Sequence, residues 1–185
     1  QRPACTPANC VESLRRVNLA GTGVGGSVEY LGQTQLQHLA LGNTAVAGSV
    51  EYLATCTGLT RLSLEGTAVT GSVAELRHLT QLTWLSLEST GVSGSVETLG
   101  SSLTRLENFD ISDTSVHGRL SLAGCSGLHT LDLAGCASVS GSIEWLGGCP
   151  SLSTVLLSGT SVSGSVEPLG SLGALWTLDL SELGG

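Results

Sequence analysis

Hydroxyl side chains are abundant in the chain, and each is a potential nucleophile. A catalytic serine or threonine also needs a base within hydrogen-bond distance and a third group that orients the base. Of the four histidines, only His38 is expected at the centre of a shared face. Its expected neighbours are Arg16 and Arg61, not a serine and a carboxylate. The sequence therefore predicts a protein that is not an enzyme.

Two further patterns bear on cofactors, and neither is specific. The text GTGVGG at 21–26 looks like a phosphate-binding loop, but no helix is predicted to follow it. No Cys-x-x-Cys pair occurs, and the four scattered histidines lack the spacing of zinc ligands. We therefore expect no cofactor and no metal ion.

Glutamates return at a fixed place in a repeated phrase, which reads GSVEYL at 26–31 and again at 48–53. A row of carboxylates is usually a hydrated surface, and each one here could also accept backbone N–H bonds. The alternative is a surface that collects Ca²⁺ or a basic partner, with Tyr30, Tyr52 and Trp145 beside it. The acidic column consists of Glu29, Glu51, Glu97, Glu144 and Glu167.

The spacing of the repeated phrase indicates the architecture. Its aliphatic residue returns every 22 to 24 residues. A period of this size predicts a solenoid, in which each repeat is one coil and the stacked coils share a core. The aliphatic positions are Val28, Val50, Val73, Val96, Leu120, Ile143 and Val166.

Each coil contains the pattern LxxLxL, whose alternation predicts a short strand with its leucines inward and a parallel sheet across the coils. The return arm, TGVSGSVE in the fourth repeat, is rich in Gly, Ser and β-branched residues. We therefore expect extended or 3₁₀ segments there and few α-helices. The expected organisation is a single domain, with a cap over 1–13 and a solenoid of about eight coils over 14–185, the last coil incomplete.

At this level the sequence resembles the leucine-rich repeat family. It is closest to the subclass of plant extracellular proteins that reads LxxLxxLxLxxNxLxGxIPxxLgxL, and it is similar to the kinetoplastid surface-antigen repeats that read LxLxGTxVSGTLP. The resemblance covers 11–183. It implies an α/β-class solenoid, here mostly β with a parallel inner sheet, in an extracellular, secreted or cell-surface protein that binds a protein or a glycan. Fold alone does not choose the ligand.

The chain departs from the family where Thr replaces Asn, and where Glu or a small residue replaces Pro. The threonine column could be an exposed ice-binding array. The resemblance favours inward hydroxyls instead, because that slot points inward in the family and a buried hydroxyl needs a partner. The column consists of Thr22, Thr44, Thr67, Thr90, Thr114 and Thr160, with Cys136 in the slot of the sixth repeat.

The family resemblance implies a disulfide between Cys5 and Cys10 in the cap. Three other cysteines lie three residues before a leucine head, where other repeats have leucine, and are expected to be small core residues. Cys125 and Cys149 belong to consecutive coils, so they are either free thiols or a bridge. The three cysteines are Cys56, Cys125 and Cys149.

Side chains between the leucines of the inner sheet are mostly small, and bulk and charge gather over three coils. Trp84 could anchor a ligand with Arg61 over its ring. Alternatively, Trp84 covers the strand edges and the carboxylates beside it are only hydrated. The candidate ligand-binding residues are Arg16, His38, Arg61, Glu65, Trp84, Glu88 and Asp110.

Charge and composition exclude several classes of function. The formal charge is −8, which disfavours binding to nucleic acid or to an anionic membrane. No apolar run approaches the roughly 18 residues of a membrane span. The chain has no Met and begins with Gln1, so we expect a processed form, and six cysteines are compatible with an oxidising compartment.

The last coil, LWTLDLSELGG from Leu175, lacks a return arm. Repeat proteins normally cap such an end, and uncovered strand edges tend to pair. We expect Trp176 and Leu183 to lie in a contact through which copies of the chain associate. The preferred interpretation is a binding or scaffolding module. The alternatives are a structural subunit that assembles head to tail into a fibre and an ice- or Ca²⁺-binding repeat surface.

Overall fold

The computed structural model describes residues 13–184, which form two parallel sheets around a continuous core. Each coil adds one strand to an inner sheet, and each inner strand pairs with those of the coils before and after it. The eight inner strands are β1 (Arg16–Asn18), β3 (His38–Ala40), β5 (Arg61–Ser63), β7 (Trp84–Ser86), β9 (Asn108–Asp110), β11 (Thr130–Asp132), β13 (Thr154–Leu156) and β15 (Thr177–Asp179).

The return arms form a second, seven-stranded sheet, which we call the outer sheet. Its strands are β2 (Gly25–Ser27), β4 (Ala45–Ser49), β6 (Ala68–Ser72), β8 (Gly91–Ser95), β10 (Ser115–Arg119), β12 (Ser138–Ser142) and β14 (Ser161–Ser163). Short helices follow most of them. The 3₁₀ helices are η1 (Val28–Leu31), η2 (Val50–Thr55), η3 (Val73–His78), η4 (Glu144–Gly148) and η5 (Glu167–Ser171), and the α-helix α1 is Leu99–Ser102.

This architecture confirms the predicted mostly β solenoid with a parallel inner sheet and few α-helices. The outer strands were expected only as extended segments, and the structure pairs them into a sheet. Among residues 13–184, no helix has both the length and the apolar character needed to cross a membrane.

The core follows from the alternation within each inner strand. The middle residue of a strand points inward, and in six consecutive strands it is fully buried. Phe109 takes this position in β9, where the other strands have leucine or valine. Burying such a side chain stabilises the fold by about 1.5–3 kcal/mol, so the stacked coils share one apolar column. The six residues are Leu39, Leu62, Leu85, Phe109, Leu131 and Val155.

The threonine column points inward, as the resemblance implies. The Thr90 hydroxyl is buried and donates to the carbonyl of Leu87 at 2.7 Å. Because these hydroxyls are occupied and shielded, they cannot form an ice-binding surface, and that alternative is wrong. The same bond to the residue three positions earlier is made by Thr44, Thr67 and Thr160 to a leucine and by Thr114 to Ile111, all four buried, and by Thr22, which is exposed, to a leucine.

Serine caps begin the return from the outer sheet. Ser72 is the N-cap of η3, and its Oγ accepts the backbone N–H of Ala74 at 3.3 Å. The glycine before each serine has a positive φ, which is +95° at Gly94. A Cβ at Gly94 would lie 2.5 Å from the Oγ of Ser72 in the preceding coil, so the Gly-Ser pair fits both the turn and the stacking.

The four cysteines within the described residues are buried free thiols, which confirms their expected place in the core. Burial raises the pKa of Cys125 to about 11, with a further contribution from Cys149, and burial raises the pKa of Cys149 to about 11. Cys136 fills the threonine slot, and its Sγ donates to the Ile111 carbonyl at 3.1 Å. The predicted disulfide between Cys5 and Cys10 lies outside the described residues.

Candidate ligand-binding site

The inner sheet places four of the seven predicted ligand-binding residues in one row. Strand pairing sets Arg16 opposite His38, His38 opposite Arg61, and Arg61 opposite Trp84. The leucine spacing predicts this same row, and the observed register confirms it. We call it the strand-start column, and it consists of Arg16, His38, Arg61, Trp84, Asn108, Thr130, Thr154 and Thr177.

Arg61 and Trp84 form the most specific contact on this face. The guanidinium carbon of Arg61 lies 4.0 Å from the centroid of the Trp84 ring. Arg61 is exposed and Trp84 is half-buried, so the pair remains accessible from solvent. A cation–π contact at such a site is worth about 0.5–1 kcal/mol. The predicted stacking is therefore confirmed.

A depression of about 490 Å³ opens on the Arg61 side of this stack. Arg16 and His38 line it together with Arg61, and small residues such as Ala20 and Ala40 leave room above the strands. Glu65 contributes the only carboxylate of the lining within the described residues. Basic side chains therefore dominate the wall of this depression.

Glu65 is held in a fixed position beside that depression. The Ser63 hydroxyl donates to its Oε2 at 2.5 Å. Its carboxylate occupies the space that a Cβ on Gly42 of the preceding coil would need. A side chain larger than hydrogen at Gly42 would displace it, so the sequence of one coil positions the carboxylate of the next.

A second depression, of about 310 Å³, lies on the Trp84 side of the stack. The other lining residues are Glu107, Asn108, His129 and Thr130. Sequence reasoning placed Asn108 and Thr130 in the strand-start column but did not select them as binding residues. Glu107 and His129 directly precede this column, a position that sequence reasoning did not consider. The stack thus separates two depressions, because Arg61 lines one and Trp84 lines the other.

Carboxylates cluster beyond the stack, on the side where the inner strands end. Desolvation raises the pKa of Glu88, and the nearby carboxylates of Asp110, Asp132, Asp113 and Glu65 raise it further. These groups therefore repel one another and disfavour full ionisation. Within residues 13–184, the ion pair found is Arg77–Glu75, away from this cluster.

Two of these aspartates also stabilise the turns that follow their strands. Asp110 Oδ1 accepts the backbone N–H of Ser112 at 3.1 Å and its hydroxyl at 2.8 Å. Asp132 Oδ1 accepts the backbone N–H of Ala134 at 3.0 Å. Desolvation raises the pKa of Asp132, the bond from Ala134 opposes that shift, and Asp110 and Asp113 add to it.

The outer glutamates have a structural role in the solenoid. Each capping serine accepts the backbone N–H of the residue two positions later. In five coils the residue that donates this N–H is a glutamate: Glu29, Glu51, Glu97, Glu144 and Glu167. Three of the five carboxylates also accept a backbone N–H from the following coil at 3.3 to 3.5 Å: Glu51 from Ser72, Glu97 from Arg119, and Glu144 from Ser165. Accordingly, for these three, the expectation of N–H acceptance is confirmed.

No group of three or more His, Cys, Asp or Glu side chains in the described part of the chain has an arrangement suited to a metal ion. The neighbours of His38 along the inner sheet are Arg16 and Arg61, as the sequence predicts. Neither supplies the hydroxyl or carboxylate of a catalytic triad. What this face offers chemically is charge, an aromatic platform and backbone close to the surface.

Trp176 and Leu183 occupy different places in the last coil. Trp176 directly precedes β15, at the edge of the inner face, and is 92% exposed. Leu183 is half-buried and packs against the core. Association of copies through these residues stays a prediction.

The paired sheets, the coil period and the open row of inner side chains define a leucine-rich repeat solenoid. No family model matches the sequence, and no curated protein matches it. Solved structures provide the comparison, and those that resemble this chain are leucine-rich repeat proteins.

Two similar structures are ectodomains of plant receptor kinases from Arabidopsis thaliana. The HAESA ectodomain, in complex with an N-terminally extended IDA peptide hormone, is 27% identical with a TM-score of 0.83, over 94% of this chain and 31% of that one. The GASSHO1/SCHENGEN3 ectodomain, in complex with CASPARIAN STRIP INTEGRITY FACTOR 2, is 27% identical with a TM-score of 0.81, over 92% of this chain and 21% of that one.

A bacterial structure shares the fold alone. An internalin from Listeria monocytogenes is 20% identical with a TM-score of 0.70, over 95% of this chain and 51% of that one. This chain spans about a fifth to a third of the length of the two plant ectodomains. The fold is thus that of leucine-rich repeat proteins.

Proposed function

We propose that the chain is a non-enzymatic binding module of the cell exterior, whose inner face holds a segment of a partner protein. The observation that carries this proposal is the Arg61–Trp84 stack between two depressions. Aromatic and arginine side chains provide most of the energy in many protein interfaces, especially where they are held rigidly. The stack supplies both residue types in one fixed arrangement.

The comparisons support a protein or peptide as the partner. One similar structure is a receptor kinase ectodomain in complex with a peptide hormone, and another is the ectodomain of a membrane receptor kinase in complex with CASPARIAN STRIP INTEGRITY FACTOR 2. The inner strands of this chain are short, and small residues such as Ala20 and Ala40 leave room above the strands in the larger depression. An extended segment can therefore approach the strands closely at either side of Trp84.

The test is a selection of linear peptides from a random display library on the wild-type chain. Each selected peptide is then measured by fluorescence anisotropy against the wild type, Trp84→Ala and Thr154→Ala. Thr154 occupies the strand-start column three coils further on and is half-buried like Trp84. We expect Trp84→Ala to weaken binding at least tenfold and Thr154→Ala to leave it within twofold.

Thermal unfolding of both variants shows whether each remains folded at the assay temperature. If Trp84→Ala loses the fold, Arg61→Ala takes its place, because Arg61 is exposed and lies on the same stack. Selected peptides that bind the folded Trp84 and Arg61 variants as tightly as the wild type would remove this face from the proposal.

A second candidate function is self-association, which is favoured by the 92% exposure of Trp176. Leu178, two residues further along, is exposed as well, and exposed apolar patches often mark contacts between proteins. Sedimentation over a wide concentration range tests it, with Trp176→Ser as the variant. Self-association requires the wild type to form larger particles at high concentration and Trp176→Ser to form fewer of them. A wild type that stays monomeric at every concentration excludes it.

A further inference from the structure

The charges of the inner face are separated along the stack of coils. Arg16, His38 and Arg61 follow one another in β1, β3 and β5 and face the larger depression. Glu65 also lines this depression, so one carboxylate stands against two arginines and a histidine. The first three coils therefore present a predominantly basic region.

The next three coils present the opposite charge. Glu88, Asp110 and Asp132 lie in or just after β7, β9 and β11; Asp110 is opposite Asp132, and Ser86, two residues before Glu88, is opposite Asp110. Among residues 13–184, their carboxylates form no ion pair with Arg, Lys or His. Their charge is thus available to a partner, whereas an internal network would have consumed it.

The two regions adjoin where Arg61 and Glu88 lie in consecutive coils, but their centres are well separated. Parallel strands lie roughly 4.8 Å apart, so the three steps from His38 to Asp110 cover about 14 Å. Charges are screened over about 8 Å at physiological ionic strength. A partner therefore experiences a positive region and a negative region, and not their average.

We infer that the inner face takes an extended protein segment in one orientation, with its acidic end over Arg16 and His38 and its basic end over Asp110 and Asp132. This inference rests on the proposed function, because it concerns the same face. About 14 Å corresponds to roughly four residues of extended chain. The partner segment therefore has an acidic block and a basic block with about four residues between them, and the middle of the segment lies on Trp84.

Synthetic peptides with defined charge order are the probes. One peptide carries Asp-Asp-Glu, a four-residue uncharged spacer containing one Leu, and Arg-Lys-Arg; a second has the reverse order. A third has the same composition with acidic and basic residues alternating. Anisotropy at physiological salt is expected to show at least tenfold tighter binding for one block peptide than for the alternating peptide.

Single substitutions then assign each block to its region. Arg16→Ala is expected to weaken the preferred block peptide at least threefold, with no effect on a version whose acidic block is replaced by serines. Asp110→Asn is expected to weaken the preferred block peptide at least threefold as well, with no effect on a version whose basic block is replaced by serines. The Oδ1 of the introduced asparagine can still accept the bonds from Ser112. Arg119→Ala and Glu97→Gln are matched controls, because both residues lie on the outer side of the solenoid.

Each result decides the inference. Equal affinity for block and alternating peptides overturns it, and so does an effect of Arg119→Ala as large as that of Arg16→Ala. If the block and alternating peptides bind with equal affinity but bind Trp84→Ala more weakly than the wild type, the proposed function stands. Only the inferred orientation of the bound segment then fails. If no peptide binding depends on Trp84 or Arg61, both fail. Displacement of a bound peptide by formation of a dimer of this chain would also overturn the inference, since the occupant would be a second copy.

Discussion

The outer side of the solenoid repeats nearly the same residues in every coil, whereas the inner face changes from coil to coil. On the outer side, the side chains themselves complete the backbone bonding: serine caps accept N–H groups, and glutamates accept N–H groups from the next coil. On the inner face, the strands bond to one another through backbone atoms whatever their side chains are. The outer side chains that accept these bonds are therefore constrained by the coil, whereas a substitution in the strand-start column of the inner face leaves the strand pairing in place.

The largest expected effect is on the outer side, at the glycine of a Gly-Ser pair. Gly94 has φ of +95°, and a Cβ there would lie 2.5 Å from Ser72 Oγ. Gly94→Ala should reduce the free energy of unfolding by about 1–3 kcal/mol, because L-residues are strained in this conformation. Chemical denaturation measures the loss.

Gly173→Ala is the matched control, because Gly173 has no positive φ and a Cβ there meets nothing within 4 Å. It should change stability by less than about 0.5 kcal/mol. Equal losses in the two variants would mean that the conformation of the outer turn does not limit its sequence.

A smaller effect is expected inside the threonine column. Thr90→Val keeps the shape but removes the donor to the Leu87 carbonyl, which then stays buried without that bond. The expected loss is about 1–2 kcal/mol in the free energy of unfolding. Thr22→Val is the control, because Thr22 makes the same bond at an exposed position where water can replace it. A loss at Thr22 as large as that at Thr90 would contradict the role of burial.

The fold was largely predictable, because the leucine spacing determines both the coil and the strand that it contains. The strand-start column followed from that spacing, and the observed pairing of Arg61 with Trp84 agrees. The outer sheet was harder to predict. Its Gly- and Ser-rich strands have low intrinsic β propensity, and they pair because the stacked inner strands bring them together.

The site was predictable as a row of residues but not as a surface. Register gives the order of Arg16, His38 and Arg61, but the depressions depend on what the small neighbours leave open. Glu65 lies where it does because the preceding coil has Gly42. Such contacts join residues more than twenty positions apart, so a local pattern does not reveal them.

On the inner face, we expect the stability effects to be smaller than in either outer or core variant. A double-mutant cycle of Arg61→Ala and Trp84→Ala should give a coupling of about 0.5–1 kcal/mol in the free energy of unfolding, the value of an exposed cation–π contact. The pair Arg16 and Trp84 is the control, because two intervening strands separate β1 from β7. A coupling near zero for Arg61 and Trp84 would show that their contact does not persist in solution.

The smallest expected effect concerns the ionisation of Glu88. Its folded-state pKa is raised, by desolvation and by the surrounding carboxylates, so the folded chain disfavours the charged form. Below the ordinary carboxyl range, Glu88 is protonated in both the folded and the unfolded chain and contributes no difference. As pH rises through the raised pKa, the charged form costs the folded chain stability, and this cost persists at neutral pH.

Glu88→Gln should therefore raise the melting temperature slightly at pH 7, and the difference should shrink as pH falls through the folded-state pKa. Thermal unfolding from pH 3 to pH 7 measures this, with Glu97→Gln on the outer side as control. A stabilisation by Glu88→Gln that grows toward low pH would show that the folded chain favours the charged form of Glu88, contrary to its raised pKa.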